Sequence, residues 1–137
     1  PGSWFTTPIA SSELAELIAS PFHRTFPDQG LRYLEHALTS PNSKTRNARL
    51  KRRVSGGYYR LAWQEDSKGS KSKAVAYYKK TLAINPSNSK ARTDFGALLG
   101  KQGKLNEAEA QFRMALELDP DNQVAKKNLE LVIQKQR

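Results

Sequence analysis

The amino-acid sequence predicts an all-α protein built from antiparallel helical hairpins that repeat along the chain. Three observations predict this fold class. The sequence matches itself at an offset of thirty-four positions, large apolar residues recur three and four positions apart, and glycines or prolines interrupt each apolar stretch. A chain of 137 residues is long enough for one domain with its own core. We therefore expect a single domain over residues 4–137. Residues 1–3 (PGS) are expected to be a cloning remnant.

The internal repeat is the most specific of these signals. The offset superimposes residues 85–88 (NPSN) on residues 119–122 (DPDN). The same offset aligns further pairs of similar residues, namely Leu61 with Phe95, Gly69 with Gly103, Ala74 with Ala108, Tyr78 with Phe112, and Leu82 with Leu116. So many matches at one offset define two consecutive units, at residues 55–88 and 89–122.

Each unit reads as two helices joined by a glycine-centred turn. The first unit predicts helices over 55–67 and 72–84, and the second predicts helices over 90–102 and 106–118. Asn106 is expected to cap the last of these, and Pro120 stops it. Small residues are expected where paired helices approach each other most closely, at Ala62, Ala74, Gly96, Ala108 and Ala115.

The flanking segments are less regular. Residues 123–137 predict one capping helix, whose apolar residues are expected to cover the last hairpin: Val124, Ala125, Leu129, Val132 and Ile133. Residues 4–54 predict irregular helices, with one near residues 11–20 and another over 29–39. These two helices are expected to pair as a degenerate earlier hairpin.

The repeat resembles the tetratricopeptide repeat (TPR) family, whose signature is W-x2-L-G-x2-Y, then A-x3-F, then P. The second unit carries the signature at Arg92, Phe95, Gly96, Leu99, Ala108, Phe112, Ala115 and Pro120. The first unit carries it at Tyr58, Leu61, Ala62, Glu65, Ala74, Tyr78, Thr81 and Pro86. Arg92, Glu65 and Thr81 depart from the family pattern. The resemblance implies a short right-handed α-solenoid in which residues 123–137 cap the end.

The resemblance also implies a function, because the first helices of such hairpins line a concave groove that holds a peptide. The groove residues implied here are Tyr59, Trp63, Lys90, Thr93, Ala97, Lys101, Lys127 and Leu131. Aromatic residues beside lysines suggest a protein or peptide partner with an apolar anchor and acidic flanks. We expect a non-catalytic scaffold or adaptor. A competing interpretation is that Tyr59 and Trp63 pack against the N-terminal segment, which would then occupy that end of the groove.

The family offers two more specialised roles. One TPR subgroup clamps the C-terminal carboxylate of chaperones with Lys, Asn and Arg side chains, but Arg60 and Gln64 stand one position out of that register and Asp94 adds a negative charge. The second role is that of an appendage that positions an enzyme within a larger parent protein. Short solenoids also expose apolar surface at their ends, which allows self-association.

The net charge of +10 is concentrated in the middle of the chain. Residues 44–104 carry sixteen Lys and Arg residues against three acidic residues, whereas the segments on either side are slightly acidic. The densest run is KTRNARLKRR, with its cations at Lys44, Arg46, Arg49, Lys51, Arg52 and Arg53. Such a stripe provides an alternative function, which is docking on RNA or an anionic membrane. The plainer interpretation is a solvated helix face.

The sequence offers no catalytic, metal or cofactor site. It lacks the P-loop, zincin, dinucleotide-binding and serine-hydrolase motifs. Cysteine is absent, and His23 and His36 are read as ordinary surface or packing residues. No apolar run approaches the roughly 18 residues of a membrane helix. We expect a soluble domain, and we favour the cytoplasm although a cysteine-free chain suits other compartments too.

Overall fold

The computed structural model describes residues 31, 32, 35 and 36 and residues 47–137. Five helices follow one another in the continuous part, and we number them α1 (Asn47–Lys68), α2 (Lys71–Ile84), α3 (Ser89–Lys101), α4 (Leu105–Leu118) and α5 (Gln123–Gln136). Residues 31, 32, 35 and 36 are helical as well, and no strand occurs in the described ranges. The described residues therefore form an all-α helical repeat, as the sequence predicts.

The chain divides into two compact units, residues 1–57 and residues 58–137. The first unit contains the helical residues 31, 32, 35 and 36, which agree with the predicted helix over 29–39. Leu31 and Val54 are buried, and a Cβ atom added to Gly57 would lie 2.5 Å from Leu31 Cδ2. The helix predicted near residues 11–20 lies outside the described residues. Helix α1 begins at Asn47, whereas the prediction began it at residue 55.

The turns within the two hairpins have the same geometry. Gly69 and Gly103 adopt φ angles of 88° and 81°, in the left-handed region that residues with a Cβ atom avoid. One residue further on, the Ser70 amide donates to the Glu65 carbonyl at 2.8 Å, and the Lys104 amide donates to the Leu99 carbonyl at 2.9 Å. These bonds satisfy carbonyls that the helix end leaves free, so each glycine ends one helix and starts the return.

The turns between hairpins are capped by asparagines. The Oδ1 atoms of Asn88 and Asn122 accept from the amides of Ala91 and Ala125, each at 3.0 Å. The predicted cap at Asn106 is wrong. Helix α4 begins at Leu105 after Lys104, because the preceding turn fixes Lys104 at the helix entrance, and no side chain caps this end. Asn106 Oδ1 instead accepts from Gln136 Nε2 at 2.8 Å.

The core of the second unit lies between these helices and confirms the predicted packing of small against large residues. All the predicted small residues are buried, and they pack with Tyr78, Phe95, Leu98, Leu99 and Phe112. The rings of Tyr78 and Phe95 stack with centroids 5.7 Å apart. A Cβ atom on Gly96 would lie 2.7 Å from Phe112 Cε1, so glycine is required for this close approach.

Helix α5 covers the last hairpin through one face. Ala125 and Val132 are buried, and Leu129 packs against the core. The expectation that Val124 also faces the hairpin is wrong, since its side chain is 59% exposed. Residues one position apart point about 100° apart on a helix, so Val124 turns outward when Ala125 turns inward.

Candidate functional site

The candidate site runs across the first helices of successive hairpins, α1 and α3, and across α5. Trp63, Ala97 and Leu131 are related by the repeat offset, and they therefore occupy the same position in three successive units. Trp63 is 57% exposed and Leu131 is 47% exposed, while Ala97 is half-buried. We call these three residues the apolar row. Two large apolar side chains, Trp63 and Leu131, therefore stay accessible at equivalent positions of the repeat.

Tyr59 connects α1 to α3 beside the apolar row. Its hydroxyl donates a hydrogen bond to Asp94 Oδ2, and its ring meets the edge of Tyr78 with centroids 6.2 Å apart. Burial raises the pKa of the Tyr59 hydroxyl, and the hydrogen bond and charge of Asp94 raise it further. The Lys90 ammonium lies 6.0 Å from the centroid of the Tyr59 ring. Tyr59 thus stays neutral, and its hydroxyl holds the Asp94 carboxylate by a hydrogen bond.

Thr93 has a structural position. Its side chain is 4% exposed, and its hydroxyl donates to the Ser89 carbonyl at 2.9 Å and accepts from Asn122 Nδ2 at 2.9 Å. The Asn122 amide also donates to Ser89 Oγ at 3.2 Å. Thr93 therefore joins α3 to the start of α5. The implied role of Thr93 in contacting a ligand is not supported by this placement.

The remaining predicted residues form a basic border. Lys90, Lys101 and Lys127 are exposed, and no ion pair between described residues engages them. Asp94 also lies on this surface, and its carboxylate accepts a hydrogen bond from the Tyr59 hydroxyl. The surface around the apolar row therefore attracts negative charge.

Sequence reasoning missed two residues of this surface. Val124 precedes Leu131 by seven positions, which are two helical turns, and both are exposed on α5. Lys135 follows Leu131 by four positions and is exposed on the same face. Val124 is equivalent to Lys90 and Lys135 is equivalent to Lys101 at the repeat offset. The repeat period was therefore the signal that could have identified Val124 and Lys135.

The basic stripe belongs to the first unit. Four cations of the stripe are exposed on the first two turns of α1, namely Arg49, Lys51, Arg52 and Arg53. Lys44 and Arg46 lie outside the described residues. Four exposed cations within five positions give this helix end a strong positive field.

The described residues contain no group of three or more His, Cys, Asp or Glu side chains placed to hold a metal ion. Within the same ranges, no helix is both long and apolar enough to cross a membrane.

Comparison with known proteins supports the repeat assignment. Residues 69–129 match the model of the tetratricopeptide repeat family. No curated protein sequence matches the chain. Among solved structures, the chain is similar to the crystal structure of MamA, with 15% identity and a TM-score of 0.61 over 90% of this chain and 68% of that one.

Two further similar structures are themselves TPR domains. The TPR domain of Arabidopsis OM64 shows 20% identity and a TM-score of 0.57, over 90% of this chain and 94% of that one. The first TPR of Spaghetti (RPAP3), bound to the HSP90 peptide SRMEEVD, shows 22% identity and a TM-score of 0.53, over 93% of this chain and 96% of that one. The fold defines a helical repeat protein. Residues 69–129 of this fold match the tetratricopeptide repeat family, in agreement with the repeat found in the sequence.

Proposed function

We propose that this domain is a scaffold or adaptor module that binds an acidic segment of a partner protein across α1, α3 and α5. The observation that carries the proposal is the apolar row, whose two outer members, Trp63 and Leu131, stay half exposed at equivalent positions of the repeat. In a monomeric protein, exposed aromatic and aliphatic side chains arranged in a row are typical of a binding surface.

The lysines around the row favour an acidic partner. Lys90, Lys101 and Lys127 have no ion-pair partner among the described residues, so carboxylates of a bound segment can approach them. Exposed charges of this kind mainly accelerate association and select the partner, while buried apolar contacts supply most of the affinity. The partner segment therefore carries large apolar residues for the row and acidic residues beside them.

The similar structure of Spaghetti (RPAP3) holds a peptide that contains two adjacent glutamates, SRMEEVD. That peptide supports an acidic ligand as a class. Carboxylate clamping of the chaperone type is a weaker proposal for this chain, because Asp94 is a carboxylate held at the centre of the same surface by Tyr59.

A capture experiment from nuclease-treated native extract tests the proposal. The intact chain is compared with a Trp63→Ala, Lys101→Glu double variant and with a matched control, Leu118→Ala with Lys73→Glu. Leu118 and Lys73 are also exposed, but they lie on α4 and α2. We expect the same protein to be retained by the intact chain and the control and lost by the groove variant. Equal retention by all three would contradict the proposal.

A second candidate function is docking on nucleic acid or anionic lipid through the basic stripe, and the exposure of Arg49, Lys51, Arg52 and Arg53 favours it. The same experiment without nuclease distinguishes the two. Binding through the stripe would weaken steeply with added salt and would survive Trp63→Ala, since phosphate contacts release counterions in proportion to their number.

A further inference from the structure

A second surface of the domain is a cleft on the other side of α3. It lies between α2 and α4 and has a volume of about 430 Å³. Arg92, Phe95 and Leu99 of α3 line it. At about 100° per residue, these three positions point roughly opposite to Lys90, Ala97 and Lys101, which belong to the candidate groove. The cleft and the groove are therefore separate surfaces on the two sides of one helix.

The cleft lies beside a departure from the TPR pattern. Arg92 occupies the repeat position at which the first hairpin has Tyr58, and Tyr58 is fully buried and stacked on Tyr77 with centroids 6.0 Å apart. Arg92 instead extends along the surface, where its Nε donates to the Pro86 carbonyl at 2.9 Å and its Nη1 donates to Gln111 Oε1 at 3.0 Å. Its Nη1 also donates to Met114 Sδ at 3.2 Å, so neutral acceptors hold the guanidinium at the surface.

The lining combines apolar surface with unpaired positive charge. Leu82, Phe95 and Ala110 contribute apolar surface to it. Lys79 and Arg92 bring two cations, and neither forms an ion pair with a carboxylate among the described residues. The bonds to Pro86 and Gln111 use Nε and Nη1, so the Nη2 group of Arg92 is free to donate to a ligand. Glu107 also borders the cleft, which leaves the lining with a net positive charge.

We propose that this cleft is a second binding site, which takes a partner-protein segment with a medium-sized apolar side chain next to a carboxylate. The apolar side chain fits between Leu82 and Ala110, and the carboxylate accepts charge-assisted bonds from Arg92 and Lys79. The volume lies within the roughly 300–1,000 Å³ of ligand pockets. Because the cleft is open along α2 and α4, it does not enclose a small molecule, and a side chain carried by a larger segment covers it better.

Backbone NMR of the intact, isotope-labelled chain tests the site. The probe is the peptide acetyl-Glu-Leu-Glu-Leu-amide at millimolar concentration, and its neutral control is acetyl-Gln-Leu-Gln-Leu-amide. We expect saturable shifts at Leu82, Phe95 and Ala110, with affinity for the acidic peptide at least ten-fold higher than for the control. Arg92→Met places an apolar residue at the position where this chain departs from the TPR pattern. This variant should bind the acidic peptide at least ten-fold more weakly.

A second variant keeps the test independent of any repacking around Arg92. Ala110 borders the cleft and lies outside the buried core, so Ala110→Glu leaves the core unchanged while it places a carboxylate in the cleft, and it should abolish binding. Trp63→Ala should leave the shifts at Leu82 and Phe95 unaltered, which separates this site from the groove. Absence of saturable shifts, shifts confined to Ala97 and Leu131, or equal binding by the Ala110→Glu variant would overturn the proposal.

Discussion

The two hairpins solve the same packing problem with different chemistry at three equivalent positions. In the first hairpin, Tyr58 stacks on Tyr77, and the Lys80 ammonium lies 5.1 Å from the Tyr58 ring centroid. The equivalent positions of the next hairpin hold Arg92, Gln111 and Met114, and there Arg92 Nη1 contacts both Gln111 Oε1 and Met114 Sδ. The first hairpin thus has an aromatic stack with a cation above it, whereas the second has a cation that donates to polar acceptors.

The repeat therefore keeps the contacts around Tyr78 and Phe112, while it varies those around Tyr58 and Arg92. Tyr78 and Phe112 are equivalent and fully buried, as are Ala74 and Ala108. Thr81 replaces the small residue found at Ala115, and its burial is tolerated because its hydroxyl donates to the Tyr77 carbonyl at 2.8 Å. A buried hydroxyl with an acceptor on its own helix adds little cost. The pair that differs most is Tyr58 and Arg92, of which Tyr58 is fully buried and Arg92 is partly exposed.

The largest effect is expected at the shared core position. Phe112→Ala should lower the free energy of unfolding by about 3–5 kcal/mol, because it removes a fully buried ring between α3 and α4. Tyr78→Ala should cost a similar amount if the two hairpins carry equal shares of the core. Urea denaturation of both variants measures this. A loss well under ~1 kcal/mol for one of them would show that its hairpin is not part of the cooperative core.

The close approach of α3 and α4 distinguishes the hairpins next. Gly96→Leu should cost about 1–3 kcal/mol, because even a Cβ atom there would lie 2.7 Å from Phe112. The first hairpin already accommodates a Cβ at the equivalent Ala62. A thermal melt of Gly96→Leu that coincides with that of the parent would show that this contact is misplaced.

The two capping asparagines should differ in a measurable way. Asn122→Ala is expected to cost about 2 kcal/mol, since it removes a helix cap together with the bonds to Ser89 and Thr93. Among the described residues, the Asn88 side chain makes only its cap bond to Ala91, and Asn88→Ala should cost about 1 kcal/mol. Denaturation midpoints of the two variants provide the comparison, and a reversed order would contradict the proposed bridging role of Asn122.

The smallest effect is expected at high pH. The pKa values of Tyr59 and Tyr78 are raised mainly by burial, so the folded state keeps these protons above the unfolded-state pKa of about 10. Stability from these groups is complete below that pH and is lost as pH rises above it, by at most about 1.4 kcal/mol per pH unit for each group. The loss is smaller for Tyr59, because water screens its partly exposed hydroxyl.

Tyr59→Phe should therefore reduce the dependence of stability on pH by one group's contribution. Urea denaturation between about pH 9 and pH 11, a range that spans the ordinary tyrosine pKa, measures this dependence. A dependence identical to that of the parent would contradict a raised pKa of Tyr59 in the folded state.

Much of the fold was predictable from the sequence because the repeat period, the turn glycines and the small packing residues are all local signals. The pattern indicates that Gly69 and Gly103 form turns and that Gly96 allows two helices to approach closely. The early start of α1 and the true entrance of α4 at Lys104 depend on contacts and turn geometry, which the pattern does not encode.

The candidate site was predictable in outline only. The repeat register correctly brings Trp63, Ala97 and Leu131 to equivalent positions. The register does not reveal that Thr93 accepts a hydrogen bond from Asn122, or that Tyr59 donates one to Asp94. These bonds join residues about one repeat apart. Arg92 was recognised as a departure from the family pattern. The cleft beside Arg92 was not predictable, because it depends on the direction of the Arg92 guanidinium, which the sequence pattern does not encode.

Site-specific photo-crosslinking tests whether a partner lies across the apolar row. A benzophenone amino acid is introduced at Leu131, which is 47% exposed in the row, and in a separate sample at Leu118, which is 43% exposed on α4. After irradiation in nuclease-treated extract, we predict a partner adduct from position 131 that is absent from position 118. Equal adducts from both positions, or an adduct from position 118 alone, would contradict the assignment of this surface as the binding groove.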